Sequence, residues 1–273
     1  MSLGRFLLLL LAVPLLLVIY SYWEATSQPR IRTAQVSLRD WPRGAKPIRA
    51  VLISDIHVAG PDMPPGRLQR IVGQINSLNP DLVLIAGDLI SDKRPSTRRY
   101  SMAEAVAPLA ALRTRLGVVA VLGNHDHWRN AEAARAALAA ARVILLDNQA
   151  IQLGPLVIGG LDDDFTDRAD LPGTLAQMRQ RRGAKLLLSH SPDPFADVPP
   201  EVGLMIAGHT HCGQISPPWI GPISTMSRYG KRYACGRIQE GGKILVVSAG
   251  LGTSVLPLRL GAPPDMWLLR LGP

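Results

Sequence analysis

Five apolar runs in this chain share one habit, and it constrains the fold more than any other feature: each leads straight into side chains that bind cations. Ala50 to Ile53 is followed by Ser54-Asp55-Ile56-His57, Leu82 to Ala86 by Gly87-Asp88, and Val118 to Leu122 by Gly123-Asn124-His125-Asp126. Leu186 to Leu188 leads to Ser189-His190, and Met205 to Ala207 to Gly208-His209-Thr210-His211. Short continuous apolar runs read as strands covered on both faces. In an α/β sheet the carboxy-terminal strand ends are where ligands and reactive groups collect. A single histidine or Gly-Asp pair would pass as a core residue or a turn. Five strand ends bearing donors require a fold that brings those ends together.

The rest of the pattern fits such a fold. Between the first two runs, Leu68, Ile71, Val72, Ile75 and Leu78 recur at helical spacing, ended by Asn79-Pro80. Further helices are expected over Met102 to Arg115 and Ala131 to Arg142, and further strands over Leu156 to Ile158, Lys185 to Leu188 and Ile244 to Val247. The alternation of strand and helix predicts parallel pairing in the first half. The second half is richer in strands. Residues 48–273 read as one catalytic-type domain, and residues 28–47, punctuated by Pro29, Pro42 and Pro47, as a linker.

Within each cluster the spacing has a chemical reading. Asp55 and His57 are two residues apart, as are His209 and His211, so on an extended backbone each pair leaves one face and can share an ion. Gly87, Gly123 and Gly208 permit sharp turns close to a metal. Imidazole nitrogens with carboxylate and amide oxygens suit Mn, Zn, Fe or Co. Asp88 stands alone on its turn and is expected to bridge two divalent ions, a pair that can polarise a phosphoryl group and generate a hydroxide nucleophile.

The amino terminus carries a different signal. A basic lead ending at Arg5 precedes an apolar stretch to Trp23, broken only by Pro14, with Tyr20, Tyr22 and Trp23 at interfacial level. Residues 1–27 are therefore expected to form a single-pass anchor in a bacterial inner membrane. A signal peptide cleaved near Ala25-Thr26-Ser27 is the rival. Arg30, Arg32 and Arg39 outnumber Arg5 across the stretch, which leans toward a cytoplasmic domain. Thirty Lys+Arg against 21 Asp+Glu give a net charge of +9, which favours anionic partners. The chain lacks the aromatic-interleaved basic stripe of a strand binder, so nucleic acid is not the expected partner. Lys93, Arg94, Arg98 and Arg99 read as a solvated charge run. Cys212 and Cys235 are expected as reduced thiols, with a single bridge as the alternative in an exported chain.

Taken together, Asp55-x-His57, Gly87-Asp88, Gly123-Asn124-His125-Asp126, His190 and Gly208-His209-Thr210-His211 resemble the calcineurin-like metallophosphoesterases. The resemblance covers about Ile48 to Leu269. Ser189-His190-Ser191-Pro192-Asp193, Gln214 to Gly221 and Gly250-Leu251-Gly252-Thr253-Ser254 are similar to the membrane-associated or exported bacterial YaeI/YkuE-type phosphodiesterases, a branch related to a chlamydial UDP-2,3-diacylglucosamine hydrolase. The resemblance implies a four-layer α-β-β-α sandwich. It implies one ion held by Asp55, His57, Asp88 and His211, and a second held by Asp88, Asn124, His190 and His209, with manganese the first choice. It implies that His125 faces substrate and that Asp126 orients it. The implied activity is hydrolysis of a phosphodiester or pyrophosphate on a lipid-linked or envelope-associated molecule, with a nuclease or cyclic-nucleotide phosphodiesterase as the alternative. The stretch from Ile215 to Tyr233 follows the last ligand pair and is expected to reach the rim of the site, as apolar-plus-basic surface or as ordinary packed loop.

Overall fold

The computed structural model describes the backbone of residues 3–273 and the side chains from Ala12 onward. In chain order its elements are α1 (Leu3–Thr26), β1 (Arg30–Ser37), β2 (Ile48–Ile53), α2 (Pro65–Ser77), β3 (Leu82–Ala86), α3 (Met102–Val106), β4 (Val118–Val121), α4 (Asn124–Ala140) and β5 (Ile144–Leu145). After these come β6 (Gln149–Leu153), β7 (Leu156–Gly160), α5 (Leu171–Arg179), β8 (Ala184–Leu188), β9 (Leu204–Ala207), β10 (Gly236–Glu240), β11 (Lys243–Val247) and β12 (Asp265–Gly272).

Two six-stranded sheets form the body, in the orders β1-β12-β2-β3-β4-β5 and β10-β11-β9-β8-β7-β6. The strands that carry ligands run parallel within each sheet: β2, β3 and β4 in the first, β8 and β9 in the second. The apolar runs divide their side chains between two cores. Ala50, Leu52, Leu82, Leu84, Val119 and Val121 meet Leu156, Ile158, Leu186, Leu188, Leu204 and Ile206 between the sheets. Val51, Ile53, Val83, Ile85 and Ala120 point the other way, onto Leu68, Ile71, Val72 and Ile75 of α2 and the apolar faces of α3 and α4. On the outer face of the second sheet, Val157, Leu187, Met205 and Val247 pack against Leu175 and Met178 of α5. Helices thus flank two stacked sheets. The four-layer expectation holds, and period-two burial on both faces is its cause.

Two boundaries differ from expectation. Residues 28–47, read as a linker, contain β1, which pairs in parallel with β12 from Arg30–Asp265 to Ser37–Gly272 and anchors its edge by an Arg32–Asp265 ion pair. The inward positions Arg32, Ala34 and Val36 include only one large apolar side chain, which hid an edge strand whose other face is wet. The helix expected over Met102 to Arg115 is α3 followed by a tight 3₁₀ turn at Ala107–Ala111, since Pro108 cannot continue an α-helical ladder. The helix expected from Ala131 starts there, after an extended Asn130 whose Oδ1 accepts from the Ala133 amide at 2.9 Å, and a short helical segment from Asn124 leads into it directly after β4.

The anchor expected over residues 1–27 falls partly outside the described residues. Among the described residues no helix is long and apolar enough to cross a membrane. The last turns of α1 are seated on the domain: Arg259 donates its amide to the Ser21 carbonyl at 2.9 Å and Gly261 donates to Glu24 Oε2 at 2.8 Å.

Candidate metal centre

The two sheets present their ligand-bearing strand ends to one cleft. From the first come Asp55 and His57 after β2, Asp88 after β3 and Asn124 after β4; from the second come His190 after β8 and His209 and His211 after β9. The backbone there is not extended. Asp55, His57, Asp88, His209 and His211 have φ of +48°, +50°, +56°, +69° and +50°. The premise of side chains leaving one face of an extended strand is therefore corrected: five of the seven residues are left-handed, a conformation that costs free energy and concentrates at functional sites. Close approach sets the glycines. A Cβ on Gly208 would stand 2.3 Å from Asp55 Oδ2, and one on Gly123 2.3 Å from Asp88 Oδ1.

The donors converge in two groups that share one atom. His57 Nε2 lies 3.4 Å from Asp88 Oδ2 and 3.1 Å from His211 Nε2, and His211 Nε2 lies 3.5 Å from Asp55 Oδ1. On the other side, His190 Nε2 lies 3.3 Å from the same Asp88 Oδ2, 3.1 Å from Asn124 Oδ1 and 3.1 Å from His209 Nδ1. Ligand atoms about 2.1 Å from a common ion stand about 3 Å from one another. Asp55, His57, Asp88 and His211 fit one ion and Asp88, Asn124, His190 and His209 a second. The two buried imidazole nitrogens of His57 and His211 face each other at 3.1 Å, a separation that suits two ligands of one ion and, without an ion, an N–H···N hydrogen bond.

Electrostatics agree for three of the four rings; at His190 burial opposes the charged form, but the carboxylates of Asp88 and Asp55 hold the ring well above the usual imidazole range. Burial pushes the imidazoles of His57 and His211 well below their usual range, and pulls His209 down to about 3 with the neighbouring His190 adding to the effect. These rings therefore stay neutral, the form that binds metal. Burial would raise Asp88, but the rings of His190, His125 and His57 outweigh it and hold its carboxyl well below the carboxylate range. Burial lifts Asp55 to about 6. Carbonyl acceptors fix two of the rings, His190 Nδ1 reaching Ala86 at 2.8 Å and His209 Nε2 reaching Met226 at 3.2 Å, while the buried Arg259 guanidinium, a donor, stands 3.3 Å from His211 Nδ1. His57 Nδ1 is buried with no hydrogen-bond partner.

His125 lies at the cleft with its ring edge toward His57, centroids 4.7 Å apart. Its orienting partner is Asp92, whose Oδ1 is 2.5 Å from His125 Nδ1. Asp126, expected in that role, does something else: its carboxylate accepts from the backbone amides of Asp88, Leu89 and Gly123 at 2.9, 2.9 and 3.0 Å. It braces the turn that aims the shared carboxylate. Adjacency in sequence favoured Asp126, whereas a helical start at Asn124 turns successive side chains apart and leaves Asp92, four residues past Asp88, facing the ring.

Above this floor opens a cavity of about 490 Å³. Asp88, Asn124, His125, His209 and His211 form its base, and Trp128, Phe165, Ile215, Ile223, Met226, Val255 and Leu256 its walls. A larger depression of about 670 Å³, along β1 and β12, carries none of the ligand residues. Sequence reading missed Asp92 and Trp128, which lie just past the motifs of Asp88 and Asn124, and Phe165 and Arg259, which reach the site from segments with no motif of their own.

Two further expectations are corrected. Cys212 and Cys235 form a disulfide, with Cα atoms 4.8 Å apart; the turn at His211–Gly213 brings Thr210 onto the Ala234 carbonyl and the two thiols together. Lys93 is not solvated like Arg94, Arg98 and Arg99. It is buried against Asp62 and Thr253 Oγ1, the latter at 3.0 Å.

With this geometry in place, comparison with known proteins is decisive. Residues 48–213 match the family model for calcineurin-like phosphoesterase. The chain belongs to that family. A Bacillus subtilis relative, the uncharacterized metallophosphoesterase YkuE, is 33% identical over 92% of this chain and 89% of its own. A zebrafish transmembrane protein with metallophosphoesterase domain is 28% identical over 94% of this chain and 61% of its own length. The solved NAD nucleotidase of Haemophilus influenzae is a looser likeness, with a TM-score of 0.48, 15% identity and coverage of 75% of this chain and 45% of that one. Family membership and the clustered Asp and His donors make this a metal-dependent phosphoesterase.

Proposed function

We propose that the chain hydrolyses a phosphodiester or pyrophosphate carrying a large apolar group, a lipid-linked phosphate such as UDP-2,3-diacylglucosamine. The observation that carries this reading is the apolar wall standing directly on the metal floor: Trp128, Phe165, Ile223, Met226, Val255 and Leu256 surround the space into which His125 projects. Phosphate charge and hydrocarbon are served by adjacent surfaces of one cavity.

Asp55, His57, Asp88 and His211 would hold one ion and Asp88, Asn124, His190 and His209 the other, with manganese first and zinc, iron or cobalt compatible with the same donors. Bound, such a pair neutralises phosphoryl charge and supplies an activated water. The chain's own residues do the rest. His125, held through Nδ1 by Asp92, presents its other nitrogen to the phosphate, where it stabilises charge on a phosphoryl oxygen or gives a proton to the leaving oxygen. Asp126 keeps the Asp88 turn rigid, and the aromatic pair Trp128 and Phe165, centroids 6.3 Å apart, excludes water from one side.

The Cys212–Cys235 bridge supports a place for the domain on the oxidising side of a membrane, against the cytoplasmic lean of the arginine count. Treating intact cells with a membrane-permeant maleimide before lysis tests that placement: a bridged pair stays unlabelled until it is reduced, whereas thiols kept reduced in the cytoplasm are labelled at once.

A hydrolysis panel on metal-stripped protein with Mn, Zn, Co or Mg returned tests the activity. It should contain bis(p-nitrophenyl) phosphate, the monoester, UDP-2,3-diacylglucosamine and single-stranded DNA. Turnover of the lipid-linked pyrophosphate above the others is the expected result. Preference for DNA would replace this reading with a nuclease, and inertness toward every substrate with ions bound would end it.

A further inference from the structure

We propose that the rim of the cavity is a bilayer-docking surface, which seats the open mouth of the site on the headgroup–acyl boundary of a phospholipid membrane. This deepens the lipid-linked reading above and rests on it for its purpose, though not for its geometry.

Two loops form the rim. The first carries Trp219, Ile220, Ile223 and Met226, exposed to 102%, 65%, 67% and 59%; the second carries Val255 and Leu256, at 69% and 44%. They are one surface, because Gln214 ties them together: its Nε2 donates to the Leu256 carbonyl at 3.0 Å and its Oε1 accepts from the Ser254 amide at 2.8 Å. An exposed apolar group of this kind at the mouth of a site marks a contact surface. At its base Lys231 donates to the Ile220 carbonyl at 3.0 Å, and among the described residues no acid lies within ion-pair distance of it. An apolar face edged by an ammonium complements an anionic lipid surface.

What identifies the occupant is α1. Its last turns bind Arg259 and Gly261, and the intervening Leu260 pairs with the start of the rim loop, accepting from the Ser216 amide at 2.7 Å and donating to the Gln214 carbonyl at 3.0 Å. Helix and rim are therefore held on two sides of one short segment. Leu15, Leu16, Leu17, Val18 and Ile19 are each exposed by 48% to 62%, more than a full turn of consecutive apolar side chains. A protein groove covers one stripe of a helix, whereas hydrocarbon covers all of it. Tyr20, Tyr22 and Trp23, exposed at 48%, 38% and 63%, stand where the helix meets the domain, the level at which amphipathic rings settle in an interface. Lipid around α1 must then also meet the rim. A substrate with acyl chains could pass from membrane to cavity without crossing water.

The test uses the full chain reconstituted into vesicles of phosphatidylethanolamine and phosphatidylglycerol. An environment-sensitive fluorophore is placed through I220C on the rim, and through R182C beside the amino-terminal end of β8, away from the ligand-bearing strand ends. Lipids brominated near the top of their chains should quench the first label and spare the second. A water-exposed label at position 220 in vesicle-bound protein overturns the proposal. So does a label already shielded in lipid-free solution at concentrations where the chain self-associates, since a second copy would then cover the rim. In a separate arm, W219E/I220E should lower turnover of a long-chain alkyl p-nitrophenyl phosphodiester dissolved in the vesicles by about tenfold, leaving soluble bis(p-nitrophenyl) phosphate unaffected. Equal turnover of both by the variant counts against docking while the esterase reading stands. If the parent protein cleaves neither, the esterase reading falls, and the quenching result still decides the rim.

Discussion

The floor and the rim of the cavity are built on opposite principles. Every donor on the floor is buried, sits two to four residues past a parallel strand, and is held by turns locked through hydrogen bonds such as those of Asp126. The rim consists of two loops without regular ladders, with large apolar side chains turned outward. Strand ends give the sub-ångström placement that a pair of ions demands. Loops give a surface that can differ between relatives while the chemistry beneath stays fixed. On this division, changes on the floor should abolish turnover of every substrate, and changes on the rim should discriminate among substrates.

The largest effect is expected at the shared carboxylate. D88A should cost about a thousandfold or more in kcat on any diester, because both groups lose a donor at once, and elemental analysis should find fewer than two ions per chain. Full metal content in D88A would break the assignment of a bridging residue. H125A comes next, with a loss of about a hundredfold or more and unchanged metal content; lost metal would move His125 among the ligands. D92N, a positioning change, should cost about tenfold in kcat with KM nearly unaltered, and should displace the basic limb of the pH–rate profile. A profile identical to the parent's would leave Asp92 a merely structural neighbour. Metal loading carries its own pH signature. Burial raises Asp55 to about 6, so its carboxyl holds a proton below that pH and must release it to bind an ion. Apparent affinity should therefore weaken as pH falls from about 7 to 5, with proton release visible as a buffer-dependent heat in calorimetry.

The same contrast explains what the sequence disclosed. Asp55, His57, Asp88, Asn124, His190, His209 and His211 were legible because a strand is a local pattern, and the fold assigns the turn at its carboxy end to the cleft. The layering was legible too, since runs such as Leu82 to Ala86 bury both faces. β1 was not, because a polar edge strand differs little from a linker until its partner, β12 at the far end of the chain, is known. Asp92, Trp128, Phe165 and Arg259 lay beyond reach for a related reason. Their roles depend on which segment folds over which, and Arg259 contacts His211 across 48 residues. The error over Asp126 shows the limit of reading by adjacency, since one residue along a helix start changes the direction of a side chain by about a quarter turn or more.

The smallest effect falls where floor and rim are joined. The Cys212–Cys235 bridge spans a separation of 23 residues and begins next to His211, and inside that loop the Met226 carbonyl receives His209 Nε2 at 3.2 Å. Closing a loop of that length contributes about 3 kcal/mol by chain entropy. The C212S/C235S variant should therefore melt several degrees lower. If the bridge serves the rim, the variant should also lose a few-fold in turnover of the vesicle-borne diester, while soluble diester changes little because the floor keeps its own braces. Its ions should be harder to retain at the His209 side alone, read as loss of one of two ions during mild chelation. A variant that melts like the parent would mean that Thr210, Asp193 and Arg228 already hold the loop through their hydrogen bonds. The rim would then belong, energetically, to the floor.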